Sequence, residues 1–426
     1  EKSTVLGGTC LNAGCIPSKT LLYSTELYYE MKHHAKDYGI TCTDVAFDFQ
    51  FMMQRKDEVI EVLQKNVTNL FSRHNIDLYT GQASFLDPFT LKLSGSDTRI
   101  KSKAFVIATG SESVSLPFLP IDEEKIVTST GILGLKKQPK SLVIIGGGVI
   151  GVEMASVYSR IGTKVTVIEL LPHICPGFDT HVRNVLFTSL KDQGIEFFLD
   201  TKVQDAKVFP DHVTLKTTQK EFTSDVVLVS VGRRPNTKGL GLEQLGIDIL
   251  KNGCICVDKS FRTKQKHIYA IGDVIEGPML AHRASEEGLC VAAIVANKKA
   301  HIDYIAIPNV IYTEPELASV GYTEDELKAL NIDYIKGQCP MKANSRARCT
   351  GKHDGLVIIL AKRATKELLG MHILCHGASE MIAVGSLALS LHATLDDLAK
   401  IAWAHPTYSE AIIEATLQAE KMAIHL

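Results

Sequence analysis

The stretch SLVIIGGGVIGVEMASVYSRIGTKVTVIE, residues 141–169, admits few folds. Ser141 to Ile145 is an unbroken apolar run, as a parallel strand buried on both faces requires. It enters a glycine cluster, and VEMASVYSRIG continues with helical spacing. Lys164 to Glu169 then alternates β-branched residues like a second strand, which makes one βαβ unit. Gly146, Gly148 and Gly151 form GxGxxG where the first strand meets the helix. The first glycine permits the tight turn, the second lets a pyrophosphate approach the backbone, and the third lets helix and strand pack closely. The phosphates would rest on the helix N-terminus, beside Val149 and Ile150, where unpaired amides and the dipole favour anions. GxGxxG alone is a weak signal, but here the context is correct on both sides. Glu169 closes the second strand; its carboxylate suits ribose hydroxyls and would repel a 2′-phosphate, so NAD is expected rather than NADP.

The rest of the chain must supply further units, because 426 residues exceed one ordinary core. Strands are expected at Glu196–Leu199, Val213–Thr217 and Val226–Val231. Upstream, Phe51–Arg73 carries a helical stripe through Val59, Leu63, Val67 and Leu70, and Ala104–Ala108 reads as another buried strand. Lys266–Ile271 runs as a strand into Gly272 and Asp273, and a helix follows over Ser285–Ala296. From about Ile305 the texture changes to strands at Asn309–Tyr312 and Gly355–Leu360 with helices at Glu324–Leu330, Ala378–Leu391 and Ser409–Glu420, a separate α+β unit. A formal charge of −2 gives nucleic-acid binding no compositional support. No apolar run reaches the roughly 18 residues needed to span a bilayer, and the opening residues lack the pattern of a secretory signal. Ten cysteines are too sparse for a secreted disulfide framework, so a reducing compartment is expected.

Two of those cysteines sit close together in GGTCLNAGCIPSK, residues 7–19. A zinc site lacks a second Cys or His cluster at suitable spacing. Two inert core thiols remain open, because free cysteine is among the most buried residue types. A redox pair also remains open: the separation of Cys10 and Cys15 permits a disulfide if the segment coils into a first helical turn, and a helix N-terminus lowers a thiol pKa. His405, in AHPTYSEA ahead of a helix and with Glu410 five residues on, is either structural or an oriented base.

Taken together, GGTCLNAGCIPSK, GGGVIGVE, VGRRPNT, YAIGD, AHRASEEG and AHPTYSEA occur in the order seen in the disulfide oxidoreductases that use FAD and a pyridine nucleotide. Within them the chain most resembles the dihydrolipoamide dehydrogenases, and the landmarks run from Gly7 to past His405. The resemblance implies an α/β fold with two Rossmann-like nucleotide-binding domains, for FAD and NAD, and a C-terminal α+β dimerisation domain. The expected boundaries are 1–114 and 236–304 for the FAD-binding parts, 115–235 for NAD binding, and 305–426 for the homodimer interface.

The resemblance also implies residue roles. Cys10 and Cys15 would form the redox disulfide, with Cys10 exchanging with the dithiol substrate and Cys15 beside the flavin. Lys19 would approach the flavin and pair with Glu153. FAD would be met by Glu1 at its ribose, and by Ala83, Thr109, Gly110, Asp273, Met279, Leu280, Ala281 and His282. NAD would be met by Gly146, Gly148, Val149, Ile150, Gly151, Glu153, Glu169, Val203 and Gly232. His405, oriented by Glu410, would deprotonate the substrate thiol across the dimer interface. The implied activity is oxidation of dihydrolipoamide with reduction of NAD⁺, in a bacterial cytoplasm or a mitochondrial matrix. The implied partner is the acyltransferase core, with its lipoyl domains, of a 2-oxo acid dehydrogenase complex; no metal is implied. Glutathione-type reductases would carry arginines after the second strand, where Leu170, Leu171, Pro172 and His173 stand, and mercuric reductases a C-terminal cysteine pair that is absent after His405. Both remain the alternative activities.

The family opens with its own strand, GxGxxG turn and helix for the ADP half of FAD, and no such pattern precedes residue 7. On this reading about forty residues of that unit are expected to be missing. FAD binding would then be weak, and an inactive variant serving as a binding subunit is the reading from a different class.

Overall fold

A computed structural model describes residues 1–426. Its centre is a parallel sheet of five strands in the order Ile126–Val127, Val226–Val229, Ser141–Ile145, Lys164–Ile168, Glu196–Phe198. The helix Val149–Arg160 crosses between the third and fourth of these, and Ile144, Val167 and Leu228 are fully buried. That burial on both faces is why these strands read as continuous apolar runs. The strand expected to reach Val231 stops at Val229, because the Ser230 hydroxyl turns back to donate to the carbonyls of Ile145 and Gly146. An antiparallel ribbon, Val203–Val208, Val213–Thr217 and Glu221–Ser224, flanks the sheet.

Segments far apart in sequence build the second unit. Phe105–Ile107 pairs in parallel with Ile268–Ala270, and Ser111–Ser113 pairs antiparallel with Arg233–Pro235. Two long helices, Cys15–His33 and Phe49–Arg73, pack on each other, and the first also packs on the crossing helix; the second begins where the Asp48 carboxylate caps the Phe51 amide. Helix Ala281–Val295 starts four residues before the expected Ser285, after the extended residue Leu280.

The third unit is an antiparallel sheet of five strands, ordered Asn309–Ile311, Glu316–Gly321, Leu368–Cys375, Leu356–Lys362, Tyr334–Pro340, with helices Ala378–Ser390 and Glu410–Ala419 on it. Three of its strands, Glu316–Gly321, Tyr334–Pro340 and Leu368–Cys375, were not anticipated; Gly321, Gly337, Gly370 and Pro340 interrupt the residue pattern that marks a strand. Here glycine serves close packing instead. A Cβ on Gly337 would lie 1.9 Å from the Ala415 carbonyl oxygen, so its absence lets helix Glu410–Ala419 lie flat on the strand.

One apolar core joins all three units. Leu21 and Leu22 of the first long helix, Met52 and Met53 of the second, Val152 and Tyr158 of the crossing helix, and Ile311, Leu317 and Leu356 of the third unit share it. Each such side chain contributes about 1.5–3 kcal/mol on burial, so the helix that begins at Cys15 is held by its packing. No helix is long and apolar enough to cross a membrane.

Candidate active site

The cysteine segment is two helices, Gly8–Ala13 and Cys15–His33, broken at Gly14. A side chain on Gly14 would place its Cβ 2.8 Å from the Thr9 carbonyl oxygen and 3.3 Å from Cys10 Cα. Glycine therefore lets the first helix fold back onto the start of the second. Both thiols are free and half-buried, and each acts chiefly on the acidity of the other. Cys15 is the first residue of a 19-residue helix, where the dipole favours a thiolate. The hydrogen bond from Cys10 and then the Lys19 ammonium outweigh partial burial and bring the Cys15 thiol down to about 6. Cys10 is pushed far up, first by that same hydrogen bond and then by burial. Within this pair Cys15 is the more acidic thiol and Cys10 the less acidic.

One helical turn beyond Cys15, Lys19 Nζ lies 2.9 and 2.8 Å from the two Glu153 carboxylate oxygens. Glu153 projects from the crossing helix, its side chain 3 % exposed, and also accepts from the Tyr312 amide at 3.0 Å. Lys19 lies over the Tyr312 ring, 4.6 Å from its centroid. Residues from all three units meet at this ammonium.

At the glycine turn, Gly146 has φ +107, and a Cβ there would lie 2.5 Å from the Ser230 carbonyl oxygen. A Cβ on Gly151 would lie 2.0 Å from the Gly146 carbonyl oxygen, so this glycine is needed for helix and strand to meet. A Cβ on Gly148 would meet nothing within 4 Å: the turn is open where a diphosphate would come, at the N-terminus led by Val149 and Ile150. Glu169 has work beyond the ribose role expected of it. Its oxygens accept from the Gly147 amide at 2.6 Å and the Leu171 amide at 2.8 Å, and it is buried. The carboxylate therefore shapes the turn whether or not a nucleotide is present. Val203 begins the flanking ribbon, and Gly232, at φ +124, accepts from the Val114 amide at 3.0 Å.

The flavin-side candidates divide. Asp273 accepts from Ser111 Oγ at 2.6 Å, and Arg233 donates to Ser111 Oγ and to its carbonyl oxygen, each at 2.7 Å. Arg233 also reaches Thr9 Oγ1 at 3.5 Å, which ties Asp273 to the residue beside Cys10. Thr109 and Gly110 are held by Asn236: Thr109 Oγ1 donates to the Asn236 carbonyl at 2.7 Å, and the Asn236 amide donates to the Gly110 carbonyl at 2.9 Å. The Glu1 carbonyl accepts from the Gly81 amide at 2.8 Å, which places Glu1 near Ala83, the start of strand Ala83–Asp87. Met279 and Leu280 lead into the helix that Ala281 begins. His282 turns elsewhere, with Nε2 2.8 Å from the Pro308 carbonyl oxygen of the third unit.

His405 Nδ1 stands 2.9 Å from Glu410 Oε1, and Glu410 Oε2 accepts from the Thr407 amide at 2.8 Å. Burial works against ionisation of Glu410, but the Thr407 amide and His405 together hold it below the usual carboxylate range. The imidazole is 69 % exposed, presented to solvent from the third unit.

Three positioning side chains, Arg233, Ser111 and Glu287, escaped the sequence reading, although the first and the last lie inside its landmarks. Glu287, fully buried in AHRASEEG, accepts from the Gly272 amide at 2.6 Å and pairs with Arg283 at 2.8 Å. Arg283 in turn donates to the Pro278 carbonyl at 2.8 Å, so the loops on either side of Asp273 and Met279 hang from one ion pair. Their role needed the tertiary pairing to become visible.

The family model for pyridine nucleotide-disulphide oxidoreductases matches residues 2–288, and the model for their dimerisation domain matches residues 307–416. The chain belongs to the pyridine nucleotide-disulphide oxidoreductases. It is 43% identical over 435 aligned residues to a mitochondrial dihydrolipoyl dehydrogenase of Pisum sativum, covering 100% of this chain and 87% of that protein. It is 44% identical to a leghemoglobin reductase of Vigna unguiculata, over 98% of this chain and 82% of that one. Among solved structures, LpdA from Mycobacterium tuberculosis superposes with a TM-score of 0.91 at 25% identity, covering 97% of this chain and 91% of that one. Membership implies FAD and NAD as cofactors. The open ground at Gly148, and the Arg233–Ser111–Asp273 chain beside the cysteine helix, fit these two groups.

Proposed function

We propose that the protein oxidises dihydrolipoamide to lipoamide and reduces NAD⁺, working as a homodimer through Cys10 and Cys15. The observation that carries this reading is the pair of free thiols brought together by the break at Gly14, with the Lys19–Glu153 pair one helical turn beyond Cys15. In the oxidised pair, His405 takes the proton of a substrate thiol, with Glu410 keeping the imidazole oriented. The substrate thiolate attacks Cys10 Sγ; the Cys10–Cys15 bond breaks and Cys15 leaves as a thiolate. A thiol held near 6 is a good leaving group, and Lys19 receives its charge. The second substrate thiolate attacks the substrate sulfur bound to Cys10, closing the lipoamide ring. Cys10 departs and takes up a proton, as the less acidic thiol of the pair. FAD, held beside the cysteine helix by residues such as Asp273, would supply the two-electron acceptor that couples the dithiol to NAD⁺. Lys19 holds positive charge where Cys15 carries negative, and Glu169 disfavours a 2′-phosphate at the neighbouring turn.

The matched dimerisation domain supports the homodimer, and the mitochondrial relatives support a matrix setting with an acyltransferase core as partner. The test is NADH formation from dihydrolipoamide by a yellow, flavin-loaded protein. Loss of that activity in both Cys10→Ser and Cys15→Ser is expected; activity retained in either removes the relay, and a colourless protein removes the enzyme reading.

A further inference from the structure

A charged junction lies away from the thiols, where the three units meet. Glu26 and Glu30 stand on the far half of the helix that begins at Cys15. Lys352 Nζ, from the third unit, lies 2.8 Å from Glu30, 3.4 Å from Glu26 and 3.8 Å from Glu314. His376 Nδ1 lies 2.9 Å from Glu314, and Arg160, the last residue of the crossing helix, donates to the Leu22 carbonyl at 3.2 Å. The ligand atoms of Glu26, Glu314 and His376 lie within 4.8 Å of one another, a spacing a divalent cation could use, but the Lys352 ammonium already serves these acids. With three carboxylates against Lys352 and Arg160, a protonated His376 balances the cluster. Glu314 favours that proton, chiefly through its hydrogen bond to the imidazole.

The same stretch of chain also holds the loop that carries His405. Asn344 Nδ2 donates to the Thr407 carbonyl at 3.0 Å, and the Thr350 hydroxyl is hydrogen-bonded to the Tyr408 hydroxyl. The Thr350 carbonyl accepts from Tyr38 Oη at 2.6 Å, beyond the end of the cysteine helix. The His376 and Tyr408 rings stand 5.7 Å apart. Within nine residues, Asn344 to Lys352, the chain thus grips the cysteine helix with one hand and the base loop with the other.

We infer that Lys352, Thr350 and Tyr408 are positioning residues which make the cysteine helix and the His405 loop of one subunit a single mechanical body. The inference rests on the proposed roles of Cys15 and His405. If the base of one subunit serves the thiols of its partner, this segment links the two sites of the dimer, since it joins a subunit's own thiols to the base that it lends.

Lys352→Gln and Tyr408→Phe, singly and together, test this in the full-length flavin-loaded dimer. Two readouts are needed: backbone hydrogen exchange of residues 15–33 and 404–411, and the pH profile of kcat for dihydrolipoamide oxidation. Lys352→Gln is expected to speed exchange in both segments, to shift the pH profile, and to lower kcat roughly tenfold, about 1.4 kcal/mol. Tyr408→Phe should do the same for the loop. The double variant should be little worse than the worse single one, since both cut one linkage. Lys352→Arg, which keeps the charge, should restore protection in both segments. Multiplicative effects in the double variant, or exchange that quickens in the helix alone, overturn the inference. Exchange needs no substrate, so a protein inactive on dihydrolipoamide would defeat the functional reading while the linkage is still judged by exchange.

Discussion

At the residue scale the decisive quantity is where the proton of the thiol pair sits. Cys15 owes its low pKa first to the Cys10 S–H and second to Lys19, so removing the donor should raise it. In the reduced protein, alkylation of Cys15 by iodoacetamide should rise with pH through a midpoint of about 6. In Cys10→Ala that midpoint should move toward the ordinary thiol value, about 8.5. An unmoved midpoint would show that Lys19 and the helix dipole suffice. The linkage to stability has a definite sign. A thiol whose folded pKa is depressed stabilises the reduced protein above its unfolded pKa, and that stabilisation is lost as pH falls through about 6. Residue type and spacing singled out Cys10 and Cys15 but left core and redox readings open; the family resemblance is what gave them, and Lys19, their expected roles. Arg233 and Glu287 were not legible, because a buried guanidinium and a buried carboxylate acquire meaning from Ser111 and Gly272, partners 122 and 15 positions away.

At the scale of elements, two contacts set how the helices meet the sheet. The Cβ of Gly151→Ala would fall 2.0 Å from the Gly146 carbonyl oxygen, so the crossing helix must shift off its strand. Overpacking of this kind costs roughly 1–3 kcal/mol, read as a lower urea midpoint, and NAD affinity should fall with it while flavin content holds. Equal loss of both cofactors would place the defect in global folding. Glu153→Gln leaves Lys19 without its anion at a site where the acid is 3 % and the lysine 30 % exposed. Breaking a buried pair costs about 3–5 kcal/mol, and the exposure of Lys19 argues for the lower end. Because Lys19 also faces Cys15, the same variant should lower the Cys15 alkylation midpoint further, as the ammonium is freed for the thiolate and the nearby Glu153 charge is gone. A rise would reverse the assigned signs. The parallel strands were readable from their apolar runs, whereas Glu316–Gly321, Tyr334–Pro340 and Leu368–Cys375 were hidden by glycines that make room for a neighbouring element.

At the scale of the whole molecule, an exposed imidazole and a half-buried thiol pair on one chain pose a question of stoichiometry. His405 is 69 % exposed on the third unit, while Cys15 heads a helix of the second unit, and each chain carries both the thiol pair and the imidazole. If each site takes its thiols from one subunit and its base from the other, mixed dimers of two dead variants must regain function. Cys10→Ser and His405→Ala homodimers should each be inactive. When the two are co-expressed and the heterodimer is isolated by distinct affinity tags, one of its sites combines intact thiols from the His405→Ala subunit with an intact base from the Cys10→Ser subunit. The other site lacks both. That heterodimer should turn over dihydrolipoamide at about half the wild-type rate per dimer, provided the two sites act independently. A base acting within its own chain gives no active site in any pairing, so an inactive heterodimer with full flavin content would confine catalysis to the single subunit. A rate well below half would instead reveal coupling between the sites, the behaviour expected if the Asn344–Lys352 segment passes strain from one to the other.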